Sequence, residues 1–422
     1  MVIITKIHNK YYNIENFKHP GGDIAIWHSY GRDATALFEM YHPFVNQDKL
    51  NFILSKYEIT DELEIEQYKK DLFPGEDSIQ QFEYNSEFAK ELKSKVKKYF
   101  YNEAIRKSTT ITKVVKATTN RWILIIFLNL LRFLSMIWWL SGSLWGLFIF
   151  PLFSWLGLSI VFHDAGHFSL SNNWKINKYM TYFGLDISEP NIWYHQHNIG
   201  HHAYTNIQYK DPDIYHASYI IRLSKYTPHK YLYNFNNITI LIQWVLSFLA
   251  NNLKIKFLFI NKYIFNFIPV YLNCNLIYTK LLIIIYFTVN YIISYLWFNG
   301  NLLFVIIPHL ITSFLFMLNS QITHLHQNTF TNDDNSDWYK HQVITSTNHS
   351  IGSISANIFS GGLNYQIEHH LFPFINHCHY PYIQPIIEKV CNKYQVPYKK
   401  FNGYTDALDS YYNHMLDLSK ES

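Results

Sequence analysis

Cysteine is scarce in this chain: Cys274, Cys378 and Cys391 are the three among 422 residues. They form no C-x-x-C pair, which excludes a disulfide framework or zinc ribbon as the organising device and points to a reducing compartment. Charge is also sparse, with 16% Asp, Glu, Lys and Arg and a formal balance of +4. No basic stripe interleaved with aromatics accompanies it, so nucleic acid is not the expected partner. The N-terminal MVIITKIHNKYY has an apolar run of four residues, too short for a signal-peptide core. Membrane entry is therefore expected from internal segments.

Apolar residues make up 49% of the chain and aromatics 18%, yet the mean hydropathy is −0.09. Apolar segments set between polar regions give that average, and the segments can be located. Residues 122–140 and 144–162 are two 19-residue apolar runs split by Ser141, Gly142 and Ser143. At about 1.5 Å per residue each reaches roughly 28 Å, enough to cross a hydrocarbon core with its ends counted. Arg132 inside the first run must face protein or polar surroundings. A second hairpin is drawn from 281–298 and 302–318 around Asn299, Gly300 and Asn301.

Ten Lys or Arg against two Glu lie between Lys90 and Arg121, and neither Lys nor Arg occurs between Lys280 and Lys340. Both patterns put the hairpin tips away from the cytosol. Residues 237–272, with apolar runs broken by Asn251, Asn252, Lys254, Lys256, Asn261 and Lys262, read as interfacial helices.

Three histidine clusters punctuate this plan: HDAGH at 163–167, HNIGHH at 197–202 and QIEHH at 366–370. Counting crossings returns all three to the cytosolic face. His163 and His167 stand four apart, on one face of an α-helix and able to reach a common ion. His197 and His201 repeat that spacing, with His202 pointing elsewhere toward a second ion, and His369 with His370 adds an adjacent pair. Imidazole suits iron, copper, zinc and nickel alike. The Glu-x-x-His arrangement of ferritin-like carboxylate sites is absent from the clusters. His195, His216, His309, His326, His349, His377 and His379 read as structural, His309 satisfying backbone groups at a kink by Pro308.

Near the N-terminus, His19 in HPGG and His42 in EMYHPF flank Ile24, Ile26, Trp27, Leu37 and Phe38, apolar surface enough to line a pocket for a flat macrocycle. Gly21 and Gly22 permit a tight turn and close backbone approach there. His8 and His28 read as structural. Eight acidic residues against two lysines between Glu58 and Ser78 read as a solvated connector. The organisation expected is a small domain at 1–60, a linker at 61–89 and a membrane domain at 90–422.

HPGG followed by G-x-D-A-T-x-x-F and a histidine resembles the cytochrome b5 family. HDAGHFS, HNIGHHAYTN before DPD, and QIEHHLFP before HYPYIQP resemble the membrane fatty acid desaturases, and among them the front-end group with a fused cytochrome b5 domain. The resemblance implies a small α+β haem-binding domain ahead of an all-α membrane domain, with four transmembrane helices in two hairpins and a cytosolic di-iron cap. It implies heme b with His19 and His42 as axial ligands, a six-coordinate arrangement suited to electron transfer. It implies two non-haem irons held by His163, His167, His197, His201, His202, His369 and His370, with His324 of QITHLH and Gln366 at or beside the metals.

The activity so implied is insertion of a cis double bond, Δ5 in the closest reading, into a membrane lipid or acyl-CoA substrate. Oxygen and an NADH-cytochrome b5 reductase are the implied partners, and the endoplasmic reticulum the implied residence. Δ6 acyl and Δ8 sphingolipid desaturases share the plan. A cytochrome b5-fused acyl hydroxylase shares the cofactors, and a non-catalytic haem and metal-binding membrane protein is the reading from another class.

Overall fold

The structure, a computed structural model, describes residues 3–72, 82–185, 187–247, 263–264, 268–269, 281, 284–327, 329 and 336–420. The N-terminal part opens with an antiparallel hairpin, Ile4–Ile7 paired with Lys10–Asn13. His8 and Asn9 turn the hairpin with φ of 48° and 63°, a conformation that Asn and His tolerate better than most residues. Helices Asp23–Ser29, Thr35–Tyr41 and Gln47–Leu54 follow. Ile3, Ile7, Tyr12, Ile14, Ile26 and Ala34 form the small core beneath them.

The expected linker is structured in part. Glu62–Asp71 is a helix capped by Asp61, which accepts from the Leu63 and Glu64 amides. Ile65, Tyr68 and Leu72 pack on Ile4, Tyr11 and Ile59 of the hairpin region. The acidic run is thus the outer face of a docked helix rather than a solvated connector, because Ile65, Tyr68 and Leu72 recur at helical spacing within it. Residues 73–81, also in that linker, lie outside the described residues.

The basic stretch begins with the long helix Glu87–Arg106, whose Phe88, Leu92, Val96 and Phe100 recur every four residues and are buried. That stripe packs on Ile383, Ile387 and Val390 of the helix Tyr380–Lys393. The lysines keep the outer face, as an amphipathic helix requires.

Among the described residues three helices are long and apolar enough to cross a membrane: Ile111–Leu140, Leu144–Gly166 and Leu302–Gln321, with 30, 23 and 20 residues. They contain the expected spans 122–140, 144–162 and 302–318. Ile123, Ile126, Phe127, Leu130, Phe133 and Leu134 are exposed on the first, a surface suited to lipid rather than water. The first two approach so closely that a Cβ on Gly146 would lie 2.6 Å from the Trp139 backbone. Asn129, on the first, donates to the Gly157 carbonyl of the second at 3.3 Å.

The span expected at 281–298 is different. Among the described residues it is the shorter apolar helix Ile284–Trp297, with a π-helical stretch at Thr288–Ile293; residues 282–283 lie outside the described residues. These 14 residues by themselves reach roughly 21 Å, and Leu281, just before residues 282–283, is also helical. In the following helix Thr312 takes the Pro308 carbonyl at 2.9 Å, while His309 stacks on Tyr291. The carbonyl freed by the missing Pro308 N–H is that of Phe304, and Trp139 Nε1 of the first apolar helix donates to it at 3.0 Å.

Of the interfacial segment expected at 237–272, a helix covers 236–247 with Ile240 and Trp244 buried and Ile238, Leu241, Ile242 and Leu246 exposed. A two-stranded ladder, Tyr263–Ile264 with Ile268–Pro269, stands where further helix was expected; the remainder lies outside the described residues. A parallel pair, Asn348–His349 with Lys400–Phe401, makes this second part not wholly α.

Candidate metal centre

The second histidine cluster lies on a nine-residue π-helical turn, Tyr194–His202, and the first begins at the end of another, Ser159–His163, before the chain returns to α-helix at Asp164–Gly166. Bonding from i to i+5 widens the turn and changes which side chains share a face; such turns recur at functional sites. The i, i+4 pair of HNIGHH still meets, the His197 and His201 rings stacking at 5.5 Å and grouping with Asp213. Nε2 of His202 lies 3.2 Å from Nε2 of His197, so residues five apart converge as well. His201 Nε2 also lies 3.2 Å from Nε2 of His324.

Two groups result. His163, His167, His197, His202 and His369 bring one nitrogen each within 4.8 Å of one another, and His201, His324 and His370 do the same. The groups adjoin, since the His202 and His370 rings stack at 4.2 Å. Adjacent His369 and His370 thus serve different groups. Gln366 joins the second, its amide nitrogen 2.7 Å from His324 Nε2. Rotating that amide by 180° would offer its oxygen instead.

The outer contacts suit metal ligation. His201 Nδ1 faces Asp211 at 3.1 Å and Asp213 at 3.4 Å. His324 Nδ1 donates to the Thr345 carbonyl at 3.1 Å, and His370 Nδ1 to the Gln342 amide oxygen at 3.0 Å. His369 Nδ1 meets the Tyr380 hydroxyl at 3.3 Å. In each case the far nitrogen is anchored and Nε2 is left facing inward. Nε2 of His167, His369 and His370 is buried with no hydrogen-bond partner among the described residues. Buried polar atoms normally find one, and anchored histidines with a free second nitrogen are how proteins present imidazole to a metal. The residues fit a pair of metal ions, five imidazoles around one and three with an amide around the other.

Burial opposes protonation of His201, yet the carboxylates of Asp211 and Asp213 outweigh it and push its pKa up to about 9. His202, His369 and His370 lack such partners, and burial holds them well below the usual histidine range.

Sequence reasoning missed the carboxylates, although DPD stands nine residues after His202. It also missed two histidines. His377 stacks on His369 at 4.9 Å and is hydrogen-bonded through Nδ1 to Asp164, which pairs with Arg121 at 3.1 Å. His216 touches Gln196 at 2.7 Å and Asp213 at 3.2 Å beside the second group. By contrast His326 is held by the Ile322 carbonyl and Ser410, away from both groups.

A cavity of about 820 Å³, mouth included, opens onto His163, His197, His201, His324 and Gln366. Ile187, Trp193, Phe316, Met317 and Leu363 line its apolar wall. An apolar wall ending on a few polar side chains is the usual lining of a site for an apolar ligand.

In the N-terminal part the His19 and His42 rings stand 5.8 Å apart. His42 Nδ1 donates to the Phe38 carbonyl at 2.8 Å, leaving Nε2 available to a metal. His19 Nδ1 accepts from the Gly21 amide at 2.9 Å; ligation through Nε2 would require that ring to exchange its proton. Burial lowers the pKa of both, His19 to about 4, so both are neutral imidazoles as haem ligation demands.

Residues 137–402 match the fatty acid desaturase family, and residues 3–100 match the cytochrome b5-like heme/steroid binding domain. The chain belongs to the fatty acid desaturase family. It is a membrane oxidoreductase with a fused cytochrome b5-like domain, and the match to that domain runs past the boundary expected at residue 60. The family implies two irons and the fused domain implies haem. An acyl-lipid (8-3)-desaturase B of Dictyostelium discoideum is 29% identical over 98% of this chain and 91% of the relative. A Delta(5) fatty acid desaturase A of the same organism is 25% identical over 96% and 87%. An sn-1 linoleoyl-lipid 6-desaturase of Synechocystis is 30% identical over 62% and 76%.

Proposed function

We propose that this desaturase inserts a Δ5 double bond into a polyunsaturated or monounsaturated acyl chain, on the carboxyl side of an existing double bond. The observation that carries this reading is the apolar cavity ending on two adjoining histidine groups. The Δ5 position is supported by two Dictyostelium discoideum relatives named as Delta(5) or probable Delta(5) desaturases, each matching over 96% of this chain.

His163, His167, His197, His202 and His369 hold one iron in this scheme, and His201, His324 and His370 the other with Gln366 beside it. The chemistry a bound iron pair supplies is reductive activation of oxygen, used to take two hydrogens from neighbouring methylenes. With two electrons and two protons added, one O2 yields one alkene and two waters.

The chain's own task is placement. Neighbouring methylenes are chemically alike, so the distance from the anchored head group to the histidines selects the bond, and Trp193 and Phe316 fix the chain's path beside them. Asp211 and Asp213 hold the proton on His201 Nδ1 and so turn Nε2 inward. The histidine groups and haem domain face the cytosol at the membrane of the endoplasmic reticulum. Four spans, the third built around Ile284–Trp297, keep the clusters on that side. His19 and His42 bind the haem, which receives electrons from an NADH-dependent reductase.

Expression in a host lacking polyunsaturated lipids, fed candidate acyl chains, tests this by gas chromatography with mass spectrometry. The expected product is two hydrogens lighter, with its new double bond at Δ5. A bond at Δ6, a sphingoid product or one gained oxygen would replace this reading with a Δ6, Δ8 or hydroxylase one. His201→Ala should abolish the product at an unchanged protein level.

A further inference from the structure

The residue next to His42 reaches into the histidine group of the other domain. Tyr41 ends the helix Thr35–Tyr41, and its hydroxyl stands 3.5 Å from Nδ1 of His167. Asn198 donates to the same hydroxyl at 3.2 Å and to the Gly166 carbonyl at 2.8 Å. The outer nitrogen of His167 thus meets a side chain of the N-terminal domain, while its Nε2 is buried and has no partner among the described residues.

The contact is held from several sides. Phe44 packs on Phe374 at 5.3 Å and on Phe372 at 5.8 Å, just past the third cluster. His28 lies 4.6 Å from Tyr194 at the start of the second cluster's helix. Ala36 and Met40, on the helix that carries Tyr41, are buried in the main core with Phe372 and Trp338. A domain held this way need not undock between turnovers.

Resting on the desaturase reading above, we infer that Tyr41 is the contact through which electrons cross between the domains, and the positioning residue that orients His167. The path runs from His42 through one peptide bond to Tyr41, and across the hydroxyl contact to the His167 imidazole. One electron leaves the ferrous haem, which becomes ferric, and one ferric ion of the pair becomes ferrous; no covalent bond is made or broken. With the other four imidazoles of its group in place, His167 does not need the hydroxyl to keep the iron bound.

The test uses the full-length enzyme purified with both cofactors. The haem is reduced, the enzyme is mixed with oxygen and acyl substrate, and haem reoxidation is followed by stopped-flow absorbance. Tyr41→Phe should retain its haem and iron contents and reoxidise roughly tenfold or more slowly, the scale expected on removing a ligand's outer partner. When both centres are first reduced chemically, its single-turnover product yield should equal that of the parent. Tyr41→His, which keeps a polar ring there, should recover part of the rate.

Reoxidation of Tyr41→Phe at the parent rate would overturn the inference, as would loss of iron from that variant or a His variant as slow as the Phe one. If the desaturase reading itself were wrong, haem reoxidation in the parent enzyme would not respond to acyl substrate at all.

Discussion

Asp211 is fully buried behind His201, and its other oxygen contacts are the amides of Asn206 at 2.7 Å and Asp213 at 2.8 Å. A carboxylate so placed fixes the imidazole's tautomer and raises its donor strength. Asp211→Asn keeps the shape and removes the charge. Iron content or product formation should fall by about 10- to 100-fold, measured by elemental analysis and lipid profile. Glu189 poses the opposite case. It caps the helix Pro190–Trp193 from a buried position, and burial raises its pKa from 4.5 to about 7. The native state therefore holds this proton more tightly than the unfolded chain, and its contribution is fully present below about 4.5 and lost as pH rises through about 7. Glu189→Gln cannot ionise, so its thermal stability should decline less across that window than the parent's in a pH series of melting curves.

At the scale of elements, the π-helical turns decide how ligands are shared. Wound as Tyr194–His202 is, HNIGHH brings His197 to His202 while His201, its ring still stacked on His197, aims Nε2 at His324 of the second group. The helix type was not legible because the sequence marks a helix without marking its hydrogen-bond register. The HPGG loop shows another tertiary demand. Gly22 has φ +85°, and a Cβ there would lie 2.3 Å from the Trp174 ring in the other domain. Gly22→Ala should cost about 1–3 kcal/mol from backbone strain alone, read as a lower melting temperature. Adding Trp174→Ala should relieve only the steric part, so the two changes will not be additive.

For the whole molecule, the expected division at residue 60 does not mark a boundary in the core. Ala36 and Met40 are buried with Phe88, Leu92 and Trp338 in one cluster, and Lys93 reaches the buried Glu39 at 3.8 Å. Returning apolar side chains to water costs about 1.5–3 kcal/mol each. Deleting residues 1–60 should therefore lower the melting temperature of the remaining chain by about 5 °C or more, measured by thermal-shift chromatography. A separate cytochrome b5 added in solution should not restore that stability. Composition favoured a connector because eight acidic residues lie there; the helix Glu62–Asp71 was hidden because only three apolar positions carry its docking.

Sequence alone determined which side chains were available and roughly where the membrane begins. Apolar runs long enough to span were visible because bilayer thickness sets their length, and clustered imidazoles were visible because few folds assemble so many without a ligand to bind. Only the tertiary structure decided how the histidines divide between two groups, that Asp211, Gln342 and Tyr380 anchor them, and that Tyr41 lies against His167. Those relations depend on helix register and on tertiary contacts, from Asp211 with His201, 10 positions apart, to Tyr41 with His167, 126 apart, and spacing along a chain does not encode either.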